Sequence, residues 1–206
     1  MVPEFRKISD FPRGTLFALL SDAYSFDCRC ARHWGGDWRE FDSFFCDRPE
    51  IADRYGFVTT LDGRAVGFAS WDPRQQPEYA IIGHNCIASA YKGQGYGVRQ
   101  LQEAVDRISR YGVGRIVVTT NELMVPARRM YERVGFRQVR RRPADGFAGE
   151  YIDYEYCRYI FSGQKRRKAR YSPFAAGISP EASRKVLFLK SKILSIASGC
   201  LASESV

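Results

Sequence analysis

The chain has 206 residues, of which 45% are hydrophobic and 27% are charged, with a formal net charge of +9 at pH 7. This hydrophobic content excludes a disordered chain, and the length predicts one domain plus an extension. Residues 164–206 hold nine Lys/Arg and two Glu, so +7 of the charge belongs to this tail and only +2 to residues 1–163. The basic balance therefore does not indicate nucleic-acid binding by the main domain.

The cysteine pattern predicts free thiols rather than a disulfide framework. Neither a signal-peptide pattern nor an apolar run long enough to span a bilayer is present, so a reduced, cytoplasmic protein without a transmembrane segment is expected. Cys28, Cys30 and His33 form C-x-C-x-x-H, which resembles half of a zinc site, but no second ligand pair follows, and no metal is predicted. The six cysteines are scattered at positions 28, 30, 46, 86, 157 and 200.

The first quarter of the chain predicts a short strand over 4–8 and two helices. The first helix is expected over 12–24, where Leu16, Leu19 and Leu20 share one face. The second is expected over 37–53, and an aromatic loop containing Trp34 and Gly35-Gly36 is expected between the two.

The remainder of the main domain predicts alternating strands and helices. An Asp-Gly pair indicates a hairpin between the first two strands of this part. Pro126 is expected to start the second of its helices and Gly135 to end it. The resulting order, β-α-α-β-β-β-α-β-α-β-β, indicates an α/β (α+β) fold with a mixed sheet and helices on both faces. The expected strands cover 55–60, 65–71, 79–88, 115–120, 138–142 and 151–161, and the first helix covers 98–111.

Three glycines at alternate positions connect the strand over 79–88 to the helix that follows. Unpaired backbone N–H groups at a helix N-terminus bind anions, and glycine lets the backbone approach a phosphate closely. Gly93-x-Gly95-x-Gly97 lacks the spacing of a dinucleotide loop, and no Gly-Lys-Ser/Thr follows as a nucleoside-triphosphate loop requires. A phosphate site is therefore predicted, with a tight turn as the alternative.

The run Lys92-Gly93-Gln94-Gly95-Tyr96-Gly97 resembles the Q/R-x-x-G-x-G/A signature of the GNAT acyltransferase superfamily, with Lys92 in place of Gln or Arg. Asn121, Ala127, Tyr131 and Gly135-Phe136 resemble its second signature, N…A…Y…GF. The element order is also similar from residue 4 to about 161. This resemblance implies a GNAT-like domain over 1–161, with a mostly antiparallel central sheet, and a basic tail over 162–206.

The same resemblance implies roles for individual residues. The loop would grip the pyrophosphate of acetyl-coenzyme A, and Asn121 and Ala127 would line its arm. Backbone amides near Cys86 and Ile87 would polarise the acyl carbonyl. Tyr131 would be the general acid beside the thioester sulfur. As alternatives from the residues alone, Tyr131 is a core aromatic and Asn121 caps a strand end. The cofactor-binding residues so implied are Cys86, Ile87, Lys92, Gly93, Gln94, Gly95, Tyr96, Gly97, Asn121 and Ala127.

The general base is less clearly indicated. Many members of the family carry a Glu on the strand before the glycine loop, and the aligned position here is Ile81. His84 has a suitable intrinsic pKa near 6.5 and is the predicted catalytic base, with a core histidine as the alternative. Glu78, at the start of the strand, is a weaker candidate.

The function implied is an N-acetyltransferase that moves an acetyl group to a primary amine by direct attack in a ternary complex. Cys86 has no base partner at motif spacing, so nothing in the sequence indicates that it is a nucleophile. The alternative is a non-catalytic module that binds coenzyme A or another phosphate ligand and whose basic tail engages nucleic acid or an acidic partner. Nucleic acid is not expected to bind the domain itself, and a homodimer through the last strands stays open.

Two further segments leave their roles open. Residues 22–53 carry eight acids and four arginines, which favours either attraction of a cationic amine or an ordinary solvated helix face. Tyr24, Trp34 and Trp38 line an acceptor pocket or cover the core edge. In the tail, residues 183–198 have the spacing of a basic amphipathic helix. Four alternatives are open for this segment: it lies on a membrane, docks on a partner, packs on the domain or is disordered.

Overall fold

In the described part of the chain, the strands form a seven-stranded mixed sheet in the order β1-β2-β3-β4-β5-β7-β6. The structure is a computed structural model, and it describes residues 1–144 and 147–157. Every neighbouring pair of strands is antiparallel except β4 and β5, which are parallel. The strands are β1 (Glu4–Arg6), β2 (Gly56–Leu61), β3 (Arg64–Asp72), β4 (Ala80–Ile87), β5 (Arg115–Asn121), β6 (Arg137–Pro143) and β7 (Glu150–Cys157).

Helices cover both faces of this sheet, as the element order predicts. Residues of α4 and α5 pack into one core cluster with the sheet, including Leu101 and Tyr131. On the other face α1 contacts β3 and β4, and Phe41 of α2 stacks on Phe68 of β3. The predicted fold class is therefore confirmed. The helices are α1 (Thr15–Ala23), α2 (Cys28–Asp47), α3 (Pro49–Tyr55), α4 (Tyr96–Arg110) and α5 (Val125–Val134).

The predicted aromatic loop at Gly35-Gly36 is wrong, because this stretch lies inside α2. The helix begins at Cys28, where the Asp27 carboxylate caps it by accepting from the Arg29 N–H at 2.9 Å. Trp34 and Trp38, four residues apart, both pack against Tyr24. Tertiary packing of this helix face outweighs the roughly 1 kcal/mol by which each glycine disfavours a helix.

The predicted helix over 37–53 is in fact two helices. Helix α2 ends at Asp47, and α3 begins at Pro49. Proline has no N–H to donate and its ring disfavours a helical residue before it, so it fits the first turn of a new helix rather than the interior of an old one.

A buried carboxylate joins the first two helices. Asp42 of α2 is 6% exposed and accepts from the N–H groups of Gly14, Leu16 and Phe17 at 2.7, 3.0 and 3.2 Å. These amides lie at the N-terminus of α1, which has no side-chain cap of its own. Asp42 therefore supplies from another helix the acceptor that this end requires.

The basic tail over 162–206, including the amphipathic pattern over 183–198, lies outside the described residues. Among the helices that the structure describes, none combines the length and the apolar character needed to cross a bilayer.

We expect Asp42→Ala to lower the free energy of unfolding by about 2 to 3 kcal/mol, because one buried and two part-buried backbone donors lose their charged acceptor. Urea denaturation of the purified protein measures this change. Asp47→Ala is the matched control, since Asp47 pairs with Arg13 on the surface, and it should leave the midpoint nearly unchanged. Equal midpoints for the two variants would contradict the capping role of Asp42.

Candidate active site

The divergence of β4 from β5 opens a cleft at the centre of the sheet. The two strands pair only through Ala80 with Ile116 and Ile81 with Val117 in the part of the chain that is described. Opposite Ser70, β4 carries a bulge that contains Gly83 and His84. A bulge bends its strand and increases the local twist, so β4 turns away from β5 beyond this point. Its backbone groups on the β5 side face the cleft instead of a neighbouring strand.

The glycine loop forms the next wall of this cleft. Gly93 and Gly95 have φ angles of +77° and +84°, which are left-handed conformations that favour glycine. A Cβ atom at either position would meet no heavy atom within 4 Å, so the backbone conformation rather than crowding requires glycine. Helix α4 begins directly afterwards, and no described side chain caps it. Its first N–H groups are thus available to an anion.

The C-terminus of α1 is attached to the segment that leads into this loop. The Ser89 hydroxyl donates to the carbonyl of Asp22 at 2.9 Å, and the Lys92 ammonium donates to the carbonyl of Ala23. The Lys92 nitrogen also lies 5.4 Å from the ring centroid of Phe26. Lys92 thereby fixes α1 and the residues that follow it beside the predicted phosphate site.

Helix α5 closes the opposite side of the cleft, which has a volume of about 660 Å³. Gly97 of α4 faces this helix, and a Cβ atom there would lie 3.0 Å from the Met130 sulfur. Arg129 and Arg133, one turn apart on α5, line the cleft and are exposed. The sequence analysis missed these two arginines, although their spacing of four residues on a predicted helix was a signal.

Tyr131 is buried in the core cluster that also contains residues of α4, and it is not itself among the residues that line the cleft. The side chain of Asn85 on β4, which does line the cleft, interacts with the Tyr131 hydroxyl, and the Tyr131 ring packs 5.8 Å from that of Tyr154. Burial raises the pKa of Tyr131 to about 12, and the hydrogen bond from Asn85 acts in the opposite direction. The phenol is therefore protonated throughout the physiological pH range.

Two other ionisable groups, Cys86 and Tyr24, line the cleft itself. Burial raises the pKa of the Cys86 thiol to about 12. Burial also raises the pKa of Tyr24, with smaller contributions from Tyr131 and Cys86. These three neighbouring groups are all neutral near pH 7, because the cleft disfavours each negative charge.

Most of the predicted cofactor residues meet in this cleft, and three do not. Gln94 bonds the carbonyl of Ala90 at 3.2 Å, and Tyr96 packs beneath the loop in a core cluster with Leu61 and Val66. Asn121 also lies outside the cleft lining. The predicted residues that line the cleft are Cys86, Ile87, Lys92, Gly93, Gly95, Gly97 and Ala127.

Both ends of the Asn121 side chain are engaged by backbone groups. Its amide nitrogen donates to the carbonyl of Ala148 at 2.9 Å, and its oxygen accepts from the N–H of Leu123 at 2.9 Å. Ala148 belongs to the loop between β6 and β7, so Asn121 anchors that loop at the end of β5. This arrangement matches the alternative in which Asn121 caps the end of a strand rather than lining the cofactor arm.

The candidate bases do not line the cleft. His84 lies on the face of the sheet that α2 covers, and it packs against Phe41 and Phe68, with ring centroids 4.4 and 6.1 Å away. Glu78 is exposed and precedes β4, at the end away from the glycine loop. The role of His84 as a base stays a prediction.

Several acids of the segment over 22–53 already have structural partners. Asp42 caps α1, Asp27 pairs with Arg29, and Asp53 accepts from Ser9 at 2.7 Å. The net charge of this segment therefore overstates the number of acids that are available to a cationic amine. Hydrogen bonding to Arg29 lowers the pKa of Asp27.

The aromatic residues of the same segment divide between core and cleft. Trp38 is buried, and Tyr24 stacks on it while also lining the cleft. Trp34 packs against Phe147 of the β6–β7 loop, with centroids 4.5 Å apart. Phe147 thus joins α2 to that loop beside the cleft.

Among the residues described, no group of three His, Cys, Asp or Glu could hold a metal ion, and Cys30 is buried while Cys28 is exposed.

A parallel strand pair that diverges beside an uncapped, glycine-led helix defines a class of protein, the acyltransferases that hold coenzyme A. A family profile described as the acetyltransferase (GNAT) family matches residues 17–136, more than half of the chain. The chain belongs to this family. It is accordingly an N-acetyltransferase with acetyl-coenzyme A as its cosubstrate.

Solved structures agree with this fold. The ribosomal-protein-S18-alanine N-acetyltransferase from Escherichia coli superimposes with a TM-score of 0.59 at 16% identity, covering 83% of this chain and 100% of that chain. The PaiA N-acetyltransferase from Thermoplasma acidophilum, solved with coenzyme A, superimposes with a TM-score of 0.63 at 14% identity, covering 77% of this chain and 100% of that chain. No curated protein sequence matches the chain significantly.

We expect Asn121→Ala to loosen the β6–β7 loop without weakening acetyl-coenzyme A binding, because the side chain holds backbone groups outside the cleft. Hydrogen exchange should accelerate at the Leu123 amide, which loses its acceptor. Calorimetric titration should give a dissociation constant within about threefold of the wild-type value, well under the tenfold that 1.4 kcal/mol represents. A tenfold or greater loss of affinity in a folded variant would restore Asn121 to the cofactor site.

Proposed function

We propose that the protein transfers an acetyl group from acetyl-coenzyme A to a primary amine by direct attack in a ternary complex. One observation carries this proposal: the diverging part of β4 and the uncapped start of α4 line a single cleft, and Asn85 in the wall of that cleft interacts with the buried Tyr131 hydroxyl behind it. A carbonyl-polarising backbone, an anion site and a proton donor are the three elements that acyl transfer from a thioester requires.

The anionic part of the cofactor has two sources of positive potential in this cleft. The first N–H groups of α4 would hold the pyrophosphate, since the helix dipole favours negative charge at that end. Arg129 and Arg133 lie across the cleft on α5 and would pair with phosphate oxygens. Lys92 is bound to the end of α1, so we assign it the placement of the loop as well as positive charge.

Transfer would begin when the lone pair of a neutral amine attacks the thioester carbon. The carbonyl oxygen becomes an oxyanion, which the N–H groups of β4 near Cys86 and Ile87 would stabilise. Collapse of this intermediate re-forms the carbonyl and breaks the C–S bond. The departing sulfur takes a proton from Tyr131, and the proton lost by the amine passes to a base or to water.

The apolar cleft brings the proton donor and the leaving group close in acidity. A thiol has an ordinary pKa of about 8.5, but burial raises the pKa of Cys86 in this cleft to about 12. A coenzyme A thiolate formed in the same space is disfavoured for the same reason. Its affinity for a proton would then approach that of Tyr131, whose pKa is also raised to about 12.

The Cys86 thiol supports the direct route rather than a covalent intermediate. A nucleophilic cysteine reacts as its thiolate and needs a lowered pKa or an adjacent base. Burial shifts the pKa of Cys86 in the opposite direction, so the thiol is protonated at neutral pH.

We expect Gly95→Trp to abolish micromolar binding of acetyl-coenzyme A, because the indole would occupy the space in front of the first α4 amides. Isothermal titration measures the affinity. Gly112→Trp is the matched control: Gly112 follows the other end of α4, with a φ of +76° and open space where a Cβ atom would lie, as at Gly95. Backbone strain is then similar in the two variants. Equal loss of affinity in both would contradict the assignment of the loop.

We expect Tyr131→Phe to lower kcat by roughly 10²-fold, the contribution typical of a general acid, with little change in KM for acetyl-coenzyme A. Because the pKa of Tyr131 is raised to about 12, kcat/KM of the wild type should rise as the amine deprotonates and should not fall before about pH 11. Steady-state rates with a panel of primary amines measure both effects.

Tyr154→Phe is the control for this experiment. Its ring packs beside Tyr131, but its hydroxyl bonds Glu132 at 2.8 Å. A wild-type rate in Tyr131→Phe, or an equal loss in Tyr154→Phe, would contradict the assignment of Tyr131.

A further inference from the structure

Helix α4 carries a polar residue in the middle of its apolar face. Tyr96, Gln100, Ala104 and Ile108 follow one another at helical spacing, and all four are buried. Gln100 is completely inaccessible to solvent. Removing a primary amide from water without hydrogen-bond partners is destabilising by about 2 kcal/mol or more. The partners of the Gln100 amide therefore indicate the role of this residue.

The Gln100 amide is fully engaged by three strands. Its oxygen accepts from the Thr59 hydroxyl of β2 at 2.6 Å. The two hydrogens of its nitrogen are shared among three acceptors: the carbonyls of Phe68 and Cys86 at 2.9 and 3.1 Å, and the Asn85 side-chain oxygen at 2.6 Å. One side chain thus joins α4 to β2, β3 and β4.

The two backbone carbonyls determine the direction of these hydrogen bonds. A carbonyl oxygen only accepts, so the Gln100 group that faces Phe68 and Cys86 must be the NH₂ group. The atom of Asn85 that faces this NH₂ group must then be the amide oxygen. The Asn85 nitrogen is left to point away from Gln100, towards α5.

Two groups of α5 lie close enough to interact with that nitrogen. It lies 3.5 Å from the Met130 sulfur, and the Asn85 side chain also interacts with the hydroxyl of the next residue, Tyr131, whose pKa it lowers as a hydrogen-bond donor does. The Tyr131 oxygen therefore accepts from Asn85. Because an oxygen that accepts one bond still has its own hydrogen to donate, the phenol proton remains available to another acceptor.

The backbone of β3 is adapted to this arrangement. A Cβ atom on Gly67 would lie 2.5 Å from the Cys86 carbonyl oxygen and 2.8 Å from the Gln100 side-chain oxygen. Only glycine at this position leaves room for the amide of Gln100 between β3 and β4.

We propose that Gln100 and Asn85 are positioning residues that fix the hydrogen-bond polarity at Tyr131, so that its hydroxyl donates to the leaving sulfur. This inference rests on the proposed function of Tyr131. Gln100 holds the Asn85 amide in one orientation. The Asn85 N–H group then occupies a lone pair of the phenol oxygen that would otherwise accept a hydrogen bond from another donor. After proton transfer, the same Asn85 N–H group stabilises the phenolate.

The first test replaces Gln100 by an apolar residue of similar volume. In Gln100→Met the Asn85 amide loses the bond that orients it, and kcat should fall roughly tenfold, the fold-change typical of one lost hydrogen bond, with KM for acetyl-coenzyme A within about twofold. Gln102→Met is the matched control, because Gln102 is exposed on the same helix and bonds Asp106. It should keep the wild-type kcat.

A double variant separates positioning from a general structural effect. If Gln100 acts through Tyr131, then Tyr131→Phe combined with Gln100→Met is no slower than Tyr131→Phe alone. Multiplied losses would overturn the proposal. Should Gln100→Met fail to fold in a thermal melt, Asn85→Leu combined with Tyr131→Phe gives the same comparison.

A second readout does not depend on activity. With ¹³Cζ-labelled tyrosine, the Tyr131 resonance is identified by its loss in Tyr131→Phe. It should shift in Gln100→Met, or in Asn85→Leu where that variant replaces it, and stay in place in Gln102→Met. An unchanged resonance in the folded variant would overturn the relay, whereas a shifted resonance in a protein that binds no acetyl-coenzyme A would leave the relay standing and reject the proposed function.

Discussion

The brief parallel pairing of β4 and β5 is the constraint on which the active site depends. Two residue pairs hold the strands together at Ala80 and Ile81, and the bulge at Gly83 and His84 then turns β4 away. Continued pairing would satisfy the backbone groups of β4 and close the cleft. The divergence instead leaves N–H groups of β4 facing the cleft, where the proposed reaction would use them to polarise the acyl carbonyl, and it gives α4 and α5 room to supply the walls.

The apolar character of this cleft determines its chemistry. Burial raises the pKa values of Cys86, Tyr24 and Tyr131 alike, so no anionic side chain forms there near neutral pH. A neutral thiol does not attack a thioester, whereas a neutral phenol can donate a proton. The same desolvation therefore supports the direct transfer that we propose rather than a covalent intermediate.

Four polar side chains in and beside the core form a directed chain. Thr59, Gln100, Asn85 and Tyr131 come from four different elements, and the carbonyls of β3 and β4 determine the direction of every bond after the first. A satisfied buried network specifies one arrangement, because any reversal leaves an amide facing the wrong partner. Rigidity of this kind suits a proton donor that must face a single leaving group.

The sequence by itself determined the features that depend on local chemistry. The alternating glycines at 93, 95 and 97, the proline in the first turn of α5 and the strand and helix periodicities predicted the fold class, a phosphate loop and the helix that carries Tyr131. These signals act over a few residues, so they are legible without a structure.

Tertiary structure decided the features that depend on distant partners. Gly35 lies in a helix because aromatic packing on α1 stabilises it, and Asn121 holds a loop carbonyl that is 27 residues away. Gln100 meets Thr59 across 41 residues, and only the fold shows that its amide faces Asn85. Contacts between residues so far apart in the chain leave no local pattern, because the surrounding sequence constrains only the backbone of each element.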